Sequence, residues 1–408
     1  MPGRFASRTS GQSWNRPPKA AVLYLTNQSS YPPHSGGQVR EWQFLSRLDG
    51  LYEVHFVAVT PHFDRDVETF DALLRHCRTV TFFEADPAEG DPAVLPDRVR
   101  RHCRADVNPY LRSFIAANGI SFVHVEGFFL MPHVPEDCGV PVHLVEENIE
   151  YQLEKSRQEV LGGDGPHWTV TRDLEHAAWR RAAKCGVVSL DDEAVMRADM
   201  PDLSVSWLPM GCDHFRASDD PGEFGRTTVD GPLVVYTGSA AWSPSRDATL
   251  WLLDHIWPRV RARVPAATLA VAGSGQTREA LGLTEVDPSV RLLGTLPSFG
   301  PLLGAADVFL CPLRFGGGTK AKILEGLAAG CAVVSTPAGV QGIDPEVREA
   351  VLVRDSAEEL ADAVTHLLVD GASAEQLRKH LDSVRHLLPT WDDALSHLDK
   401  AWSETAGK

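Results

Sequence analysis

Residues Arg314 to Gly330, reading RFGGGTKAKILEGLAAG, set three consecutive glycines directly before a helical pattern that carries two charges. At about 100° per residue, Ile323, Leu324, Leu327 and Ala328 fall on one side, while Lys322, Glu325, Gly326 and Ala329 share the other. Without a Cβ at Gly316, Gly317 and Gly318, the backbone N–H groups of this loop and of Thr319 can approach an anion and form a nest for it. The helix N-terminus adds partial positive charge at the same place. Small residues on the polar stripe leave room for a ligand beside one cation and one carboxylate. The plainer reading is a glycine loop that lets a helix pack closely on a sheet, with Lys322 and Glu325 as a surface i,i+3 pair. Gly330 ends the helix, Ala332 to Ser335 reads as a short buried strand, and Thr336 to Gly339 as a turn.

Working outward, the same alternation of β-rich runs and helical patterns fills the chain. The first half offers Ala20–Leu25, Tyr52–Val59, Val80–Phe83, Phe122–Val125, Val142–Val145, Val187–Leu190 and Val205–Leu208. A polar stretch rich in Gly and Pro follows, and the rhythm restarts with Leu233–Tyr236, Thr268–Ala272, Val290–Leu292, Val308–Leu310, Ala332–Ser335 and Val351–Val353. This is the pattern of parallel α/β sheets, here in two halves. The expected division is a disordered tail over 1–18, a first domain over 19–212, a linker over 213–231, a second domain over 232–388 and a terminal helix over 389–408. Trp391, Ala394, Leu395, Leu398 and Trp402 form the apolar stripe of that helix.

Composition narrows the function. The chain has 408 residues, enough for two cores, and its 39 Lys plus Arg against 55 Asp plus Glu give a net charge of −16. That balance opposes binding to nucleic-acid backbones or anionic membranes and favours neutral or cationic partners. The 7 cysteines are scattered and never spaced CxxC, as expected of buried thiols in a reducing cytosol rather than disulfides or zinc ligands. The first residues lack an apolar run of the kind that opens a secretory signal, and no apolar run elsewhere is long enough to span a bilayer, so a cytoplasmic location is expected. There is no GxGxxG, Walker A, HExxH or nucleophile elbow. Asp64 and Asp66 form a DxD, but they follow a strand where helix-starting residues belong, so no metal and no cofactor are expected.

The run from Arg314 to Ser335 resembles the donor-binding signature of the family 4 glycosyltransferases, retaining enzymes of GT-B fold. Lys322, Glu325, Gly330, Val333 and Val334 match it. The resemblance implies two Rossmann-like doubly wound domains facing across a cleft, with a terminal helix that crosses back to the first domain. It places a nucleotide-diphosphate sugar on the second domain, with Glu325 on the ribose and Lys322 on the diphosphate. The donor set implied is Gly238, Leu296, Gly316, Gly317, Gly318, Thr319, Lys320, Lys322 and Glu325, with Gly36 and Gly37 contributed by the turn after the first strand. Leu296 enters because the loop Gly294–Pro297 resembles the one that contacts the nucleobase through backbone groups.

Two departures bear on this. Family members commonly carry an Arg just after the glycine that follows the strand now at Leu233–Tyr236, and a Lys about five residues on; here Ser239 stands first, and Pro244 and Ser245 lie near the second. The diphosphate then falls to Lys320, Lys322, Arg246, Arg314 or the glycine nest, with Lys322 and the nest preferred. The earlier Glu of the family's paired glutamates falls at Gly317.

On the acceptor side, Glu126 ends the run FVHVE, where many members place a sugar-contacting His, and His124 shares its face of the strand. Asn148 and Glu150 follow the strand Val142–Val145 as in a family segment, with helix capping as the alternative. Catalytic candidates are therefore Lys322, Glu325 and Glu126, and acceptor candidates Glu126, Asn148 and Glu150. The expected activity is retaining transfer of a hexosyl or N-acetylhexosaminyl group to a hydroxyl of a glycan or small natural product, an amine-bearing one being favoured by the acidic balance. The competing readings are a nucleotide-sugar epimerase of similar fold and a non-catalytic sugar-binding partner.

Overall fold

Fourteen strands, among the described residues, fall into two sheets that do not share a strand. The computed structural model describes residues 3–11, 19–88, 95–162, 168–214 and 231–407. Met1–Pro209 and Trp391–Lys408 form one compact unit, and Met210–Thr390 the other.

The first unit is built on β1 (Phe5–Thr9), β2 (Ala21–Thr26), β3 (Glu53–Thr60), β4 (Thr79–Glu84), β5 (Phe122–Glu126), β6 (Val142–Glu146), β7 (Lys184–Val187) and β8 (Val205–Trp207), in the order β1-β4-β3-β2-β5-β6-β7-β8. All neighbours are parallel except β1, which runs antiparallel to β4. Strands β2 to β6 are buried nearly end to end, as sheets covered by helices on both faces require. The order reverses at β2, which pairs with both β3 and β5, so the C-terminal ends of β2 and β5 make a switch point where an open α/β sheet leaves a crevice.

Helix Trp391–Ala406 belongs to this unit although the chain reaches it last. Its apolar stripe is buried: the Trp391 ring meets Phe44 edge-on at 5.7 Å, and Trp402 is ringed by Tyr24, Tyr52, Phe122 and His124. Each indole buries on the order of 200 Å², so the helix is anchored mainly through these two rings.

The second unit holds β9 (Leu233–Thr237), β10 (Thr268–Ala272), β11 (Val290–Gly294), β12 (Val308–Cys311), β13 (Ala332–Ser335) and β14 (Val351–Val353), all parallel, in the order β11-β10-β9-β12-β13-β14. Its switch point lies at the C-terminal ends of β9 and β12.

Three features differ from the sequence reading. The expected disordered tail contains β1, which closes the sheet edge with Ser7 Oγ 2.9 Å from Thr81 Oγ1 and Arg4 bound to Glu84. Residues 1–2 and 12–18 lie outside the described set, as does most of the expected linker, residues 215–230. Second, β7 spans Lys184–Val187 rather than Val187–Leu190, because Ser189 caps the next helix by accepting from Asp192 N, and Leu190 already belongs to it. Third, the unit boundary falls at Met210.

Candidate functional site

In the second unit the glycine loop is organised by Lys320. Its buried ammonium donates to the carbonyls of Gly317 and Gly318, both at 2.8 Å, immediately before helix Ala321–Ala328. Because a trans peptide holds its C=O and N–H on opposite sides, the amides of Gly318 and Thr319 point away from that ammonium. Of the three glycines only Gly318 has a positive φ, +63°. Lys320 is therefore the post around which the loop wraps. Thr319 Oγ1 reaches the Gly342 carbonyl at 3.5 Å.

The other cations considered for the diphosphate are also engaged. Arg246 donates to the carbonyls of Ala280 and Leu281, and Arg314 makes a two-pronged ion pair with Asp247. Lys322 differs: neither a carboxylate nor a backbone carbonyl is bonded to it among the described residues. Its Nζ donates to Ser245 Oγ at 2.8 Å and lies 5.2 Å from the Tyr236 ring and 5.4 Å from the Trp242 ring. Burial pulls its pKa below the ordinary lysine value, and an anion delivered to it would raise it again.

Gly238, at the end of β9, is what admits this ammonium: a Cβ there would stand 2.7 Å from both Lys322 Nζ and Ser245 Oγ. Gln276, fully buried, holds the Gly238 carbonyl at 2.8 Å from the far side. Ser245, which stands where a second family cation was missing, thus orients the cation that remains.

Glu325 lies one turn on along the same helix face. Its carboxylate makes no ion pair or hydrogen bond among the described residues, and burial raises its pKa to about 7, against the lowering effect of Lys322. Leu296 follows the end of β11 and is partly buried. The switch point thus gathers Gly238, Lys322 and Ser245 directly, with the glycine loop and Glu325 on the elements after β12.

In the first unit a cavity opens beyond the ends of β2, β5 and β6, lined by Asn27, Glu41, Arg98, Glu126, Gly127, Phe129, Glu146, Glu147, Asn148 and Glu150. Glu126 is 4% exposed and gripped by Arg40 Nη1 at 2.9 Å from both oxygens, by the Tyr24 hydroxyl at 2.5 Å and by His124 Nε2 at 2.9 Å. These partners hold it far below the usual carboxylate range despite burial. A carboxylate so committed is a fixed wall of the cavity.

Asn148 and Glu150 do line the cavity. Asn148 Nδ2 is 3.4 Å from Glu150 Oε1, and Arg98 binds the same oxygen at 3.1 Å while lying over the Phe129 ring. The helix they introduce, Glu150–Leu161, is capped from outside: Glu175 accepts from Glu150 N and Tyr151 N at 2.8 and 2.9 Å. Gly36 and Gly37 form the first turn of helix Gly36–Leu48 after its Ser35 cap, and Gly37 packs directly on the Glu147 carboxylate.

Sequence reading missed Arg40, Glu41, Arg98, Glu146, Glu147 and Ser245. Arg40 and Glu41 look like solvated charges on a helix, yet both are 1% exposed. Glu41 accepts from Thr26, Gln28 and Ser30, and Glu146 from the Trp179 indole and Phe128 N; burial pushes both up to about 8. The DxD residues are spent locally: Asp64 pairs with Arg4, and Asp66 accepts from Thr60 Oγ1 and Ser29 N.

With this geometry in hand, comparison with known proteins is informative. Residues 231–370 match the family model described as glycosyl transferases group 1, so the second unit carries a domain of that class. The architecture is GT-B, consistent with a family 4 glycosyltransferase: sucrose-phosphate synthase of Thermosynechococcus elongatus superposes with a TM-score of 0.68 at 15% identity, covering 95% of this chain and 99% of that one. Anabaena HepE, in complex with UDP and glucose, gives 0.65 at 14%, covering 94% and 100%. WaaG, a glycosyltransferase involved in lipopolysaccharide biosynthesis, gives 0.64 at 14%, covering 93% and 98%. No curated protein matches the sequence. Domain match and architecture together support a glycosyltransferase. Among the described residues no helix is long and apolar enough to cross a membrane.

Proposed function

We propose that the chain transfers a hexosyl or N-acetylhexosaminyl group from a nucleotide-diphosphate sugar, with retention, to a hydroxyl of a glycan or small natural product. The observation that carries the reading is Lys322: a cation at the switch point of a group 1 glycosyl transferase domain, boxed by Ser245, Tyr236 and Trp242, with no carboxylate bonded to it among the described residues. It meets the leaving diphosphate, assisted by the outward amides of Gly318 and Thr319 and the start of the helix they precede. Glu325 accepts from a ribose hydroxyl. The acceptor hydroxyl attacks C1 on the face the diphosphate leaves, the C1–O bond breaks, and the proton passes to the departing phosphate oxygen. Charge stabilisation and positioning supply the rate, and no protein nucleophile takes part.

In this reading the acceptor binds at the mouth of the first unit's cavity, whose lining residues it would meet from outside. The lining of Asn27, Asn148, Arg98 and Glu150 suits a hydroxylated acceptor, and the net charge of −16 of the whole chain favours an amine-bearing one of aminoglycoside-like chemistry. HepE was solved with UDP and glucose, so a uridine diphosphate sugar is the first donor to test. The deciding measurement is the anomeric proton coupling of the isolated product. An α-linkage from an α-donor supports the reading; a β-linkage means inversion and overturns it. Product formation from donor alone, without acceptor, would instead assign an epimerase.

A further inference from the structure

We propose that Trp402 and His143 lock His124 in a single neutral tautomer, and that this lock keeps Glu126 an ionised, immobile wall of the first unit's cavity. The inference about acceptor binding rests on the glycosyltransferase reading; the lock itself does not.

The hydrogen-bond inventory forces the tautomer. Trp402 Nε1 lies 3.0 Å from His124 Nδ1, and an indole nitrogen only donates, so His124 Nδ1 carries the lone pair. The proton of the neutral ring is then on Nε2, 2.9 Å from Glu126 Oε1, which accepts it. His143 Nδ1 is also 3.0 Å from His124 Nδ1, and because that atom has no proton to give, His143 must be the donor. This leaves His143 Nε2 as a bare acceptor, and it has no partner among the described residues. Polarity runs one way along the chain of rings, from Trp402 and His143 into His124 and from there into Glu126.

Protonating His124 would place a hydrogen where two N–H groups already point. A histidine beside a carboxylate ordinarily gains charge readily, since the carboxylate stabilises imidazolium. Here Glu126 is the carboxylate, but Arg40 opposes a second cation, as does Lys184 toward His143, and Tyr24 stacks on His124 at 4.4 Å. Glu41 and Glu147 are the remaining charged groups around Glu126. Burial lowers the pKa of both histidines in the same sense. A proton on His124 would add positive charge behind Glu126 and weaken the cavity's hold on a cationic acceptor, so the lock maintains an anionic wall into mildly acid conditions.

The test is long-range nitrogen–proton NMR of protein labelled at histidine, with Trp402→Phe as the variant that keeps a ring and removes the N–H. Wild type is expected to show His124 as the neutral Nε2–H form with no titration from about pH 5.5 to 8. Trp402→Phe lets His143 change tautomer and His124 accept a proton, so the His124 pKa rises by about one unit or more. A wild-type His124 that titrates normally, or is protonated on Nδ1, overturns the lock, and so does an unchanged His124 in a folded variant. If the variant fails to fold, the wild-type titration alone decides. For transfer, the variant's acceptor KM should rise at least about threefold between pH 8 and 6 relative to wild type, with kcat unchanged. A merely structural Trp402 would lower Tm and leave the KM profile alone. Intact NMR behaviour with no transfer activity would defeat the glycosyltransferase reading and leave the lock standing.

Discussion

The two switch points are opposites in how their charges are used. In the first unit the glutamates around the cavity are largely tied to donors: Glu41 to three side chains, Glu126 to Arg40, Tyr24 and His124, Glu146 to the Trp179 indole and Phe128 N, and Glu150 to Arg98. In the second, Arg246, Arg314 and Lys320 are consumed by structure, whereas Lys322, among the described residues, is held by the hydroxyls of Ser245 and Tyr236 and by two rings. Satisfied charges shape a site, and the charge left without a counter-ion is available to a ligand. Removing a charge should therefore damage stability in the first unit and activity in the second.

The largest effect is expected from Arg40→Met, which strands the buried Glu126 carboxylate. Breaking a buried pair from one side costs roughly 3–5 kcal/mol, to be read from the urea midpoint. Lys322→Met should leave that midpoint nearly unchanged while transfer falls at least about tenfold, about 1.4 kcal/mol of lost transition-state stabilisation. If the two variants behaved alike, the contrast between the units would fail.

A pH series sharpens the same contrast. Burial lifts Glu41 to about 8, above its unfolded value, so the folded chain holds this proton more tightly. Its contribution to stability is complete below the unfolded pKa and is lost as pH rises through about 8. Glu41→Gln should flatten the decline in urea midpoint between pH 5 and 8; a slope identical to wild type would contradict the assignment.

Smaller still is Gly238→Ala. The clash is with the flexible end of Lys322 and with Ser245 Oγ, so Tm should change by no more than about 2 °C while transfer falls a few-fold as the ammonium is displaced. The smallest expected effect is none: EDTA should leave transfer unaltered, because the proposed leaving-group site supplies an ammonium and amides where a metal-dependent site would offer carboxylates. Loss of activity restored by magnesium or manganese would overturn this.

Much of the second unit was legible. Its strands are buried apolar runs bounded by Gly and Pro, and Lys322 and Glu325 stand on a stripe that periodicity alone reveals. The first unit was read less completely for identifiable reasons. β1 is an exposed edge strand whose FASRT lacks the alternation of a half-buried one, and its partner lies some seventy residues on. Lys184 opens β7 buried because Glu404 of the last helix pairs with it at 2.6 Å, so the strand begins before the apolar run does. Arg40 and Glu41 offered no signal, since a charged residue at a helical position is ordinarily solvated.

Local pattern by itself determined the α/β alternation, the glycine loop, the polar stripe of helix Ala321–Ala328 and the apolar stripe of the last helix, because each depends on neighbours three or four residues apart or on backbone freedom. Tertiary structure alone decided which charges are spent. Lys320 and Lys322 are two residues apart and equal as symbols, yet one folds back onto its own loop carbonyls and the other reaches past Gly238 to Ser245. Whether an ionisable group is free to meet a ligand is set by the partners its side chain reaches in the folded chain, two and three residues away for Lys320 but 77 away for Lys322, where desolvation and partner geometry outweigh any local propensity.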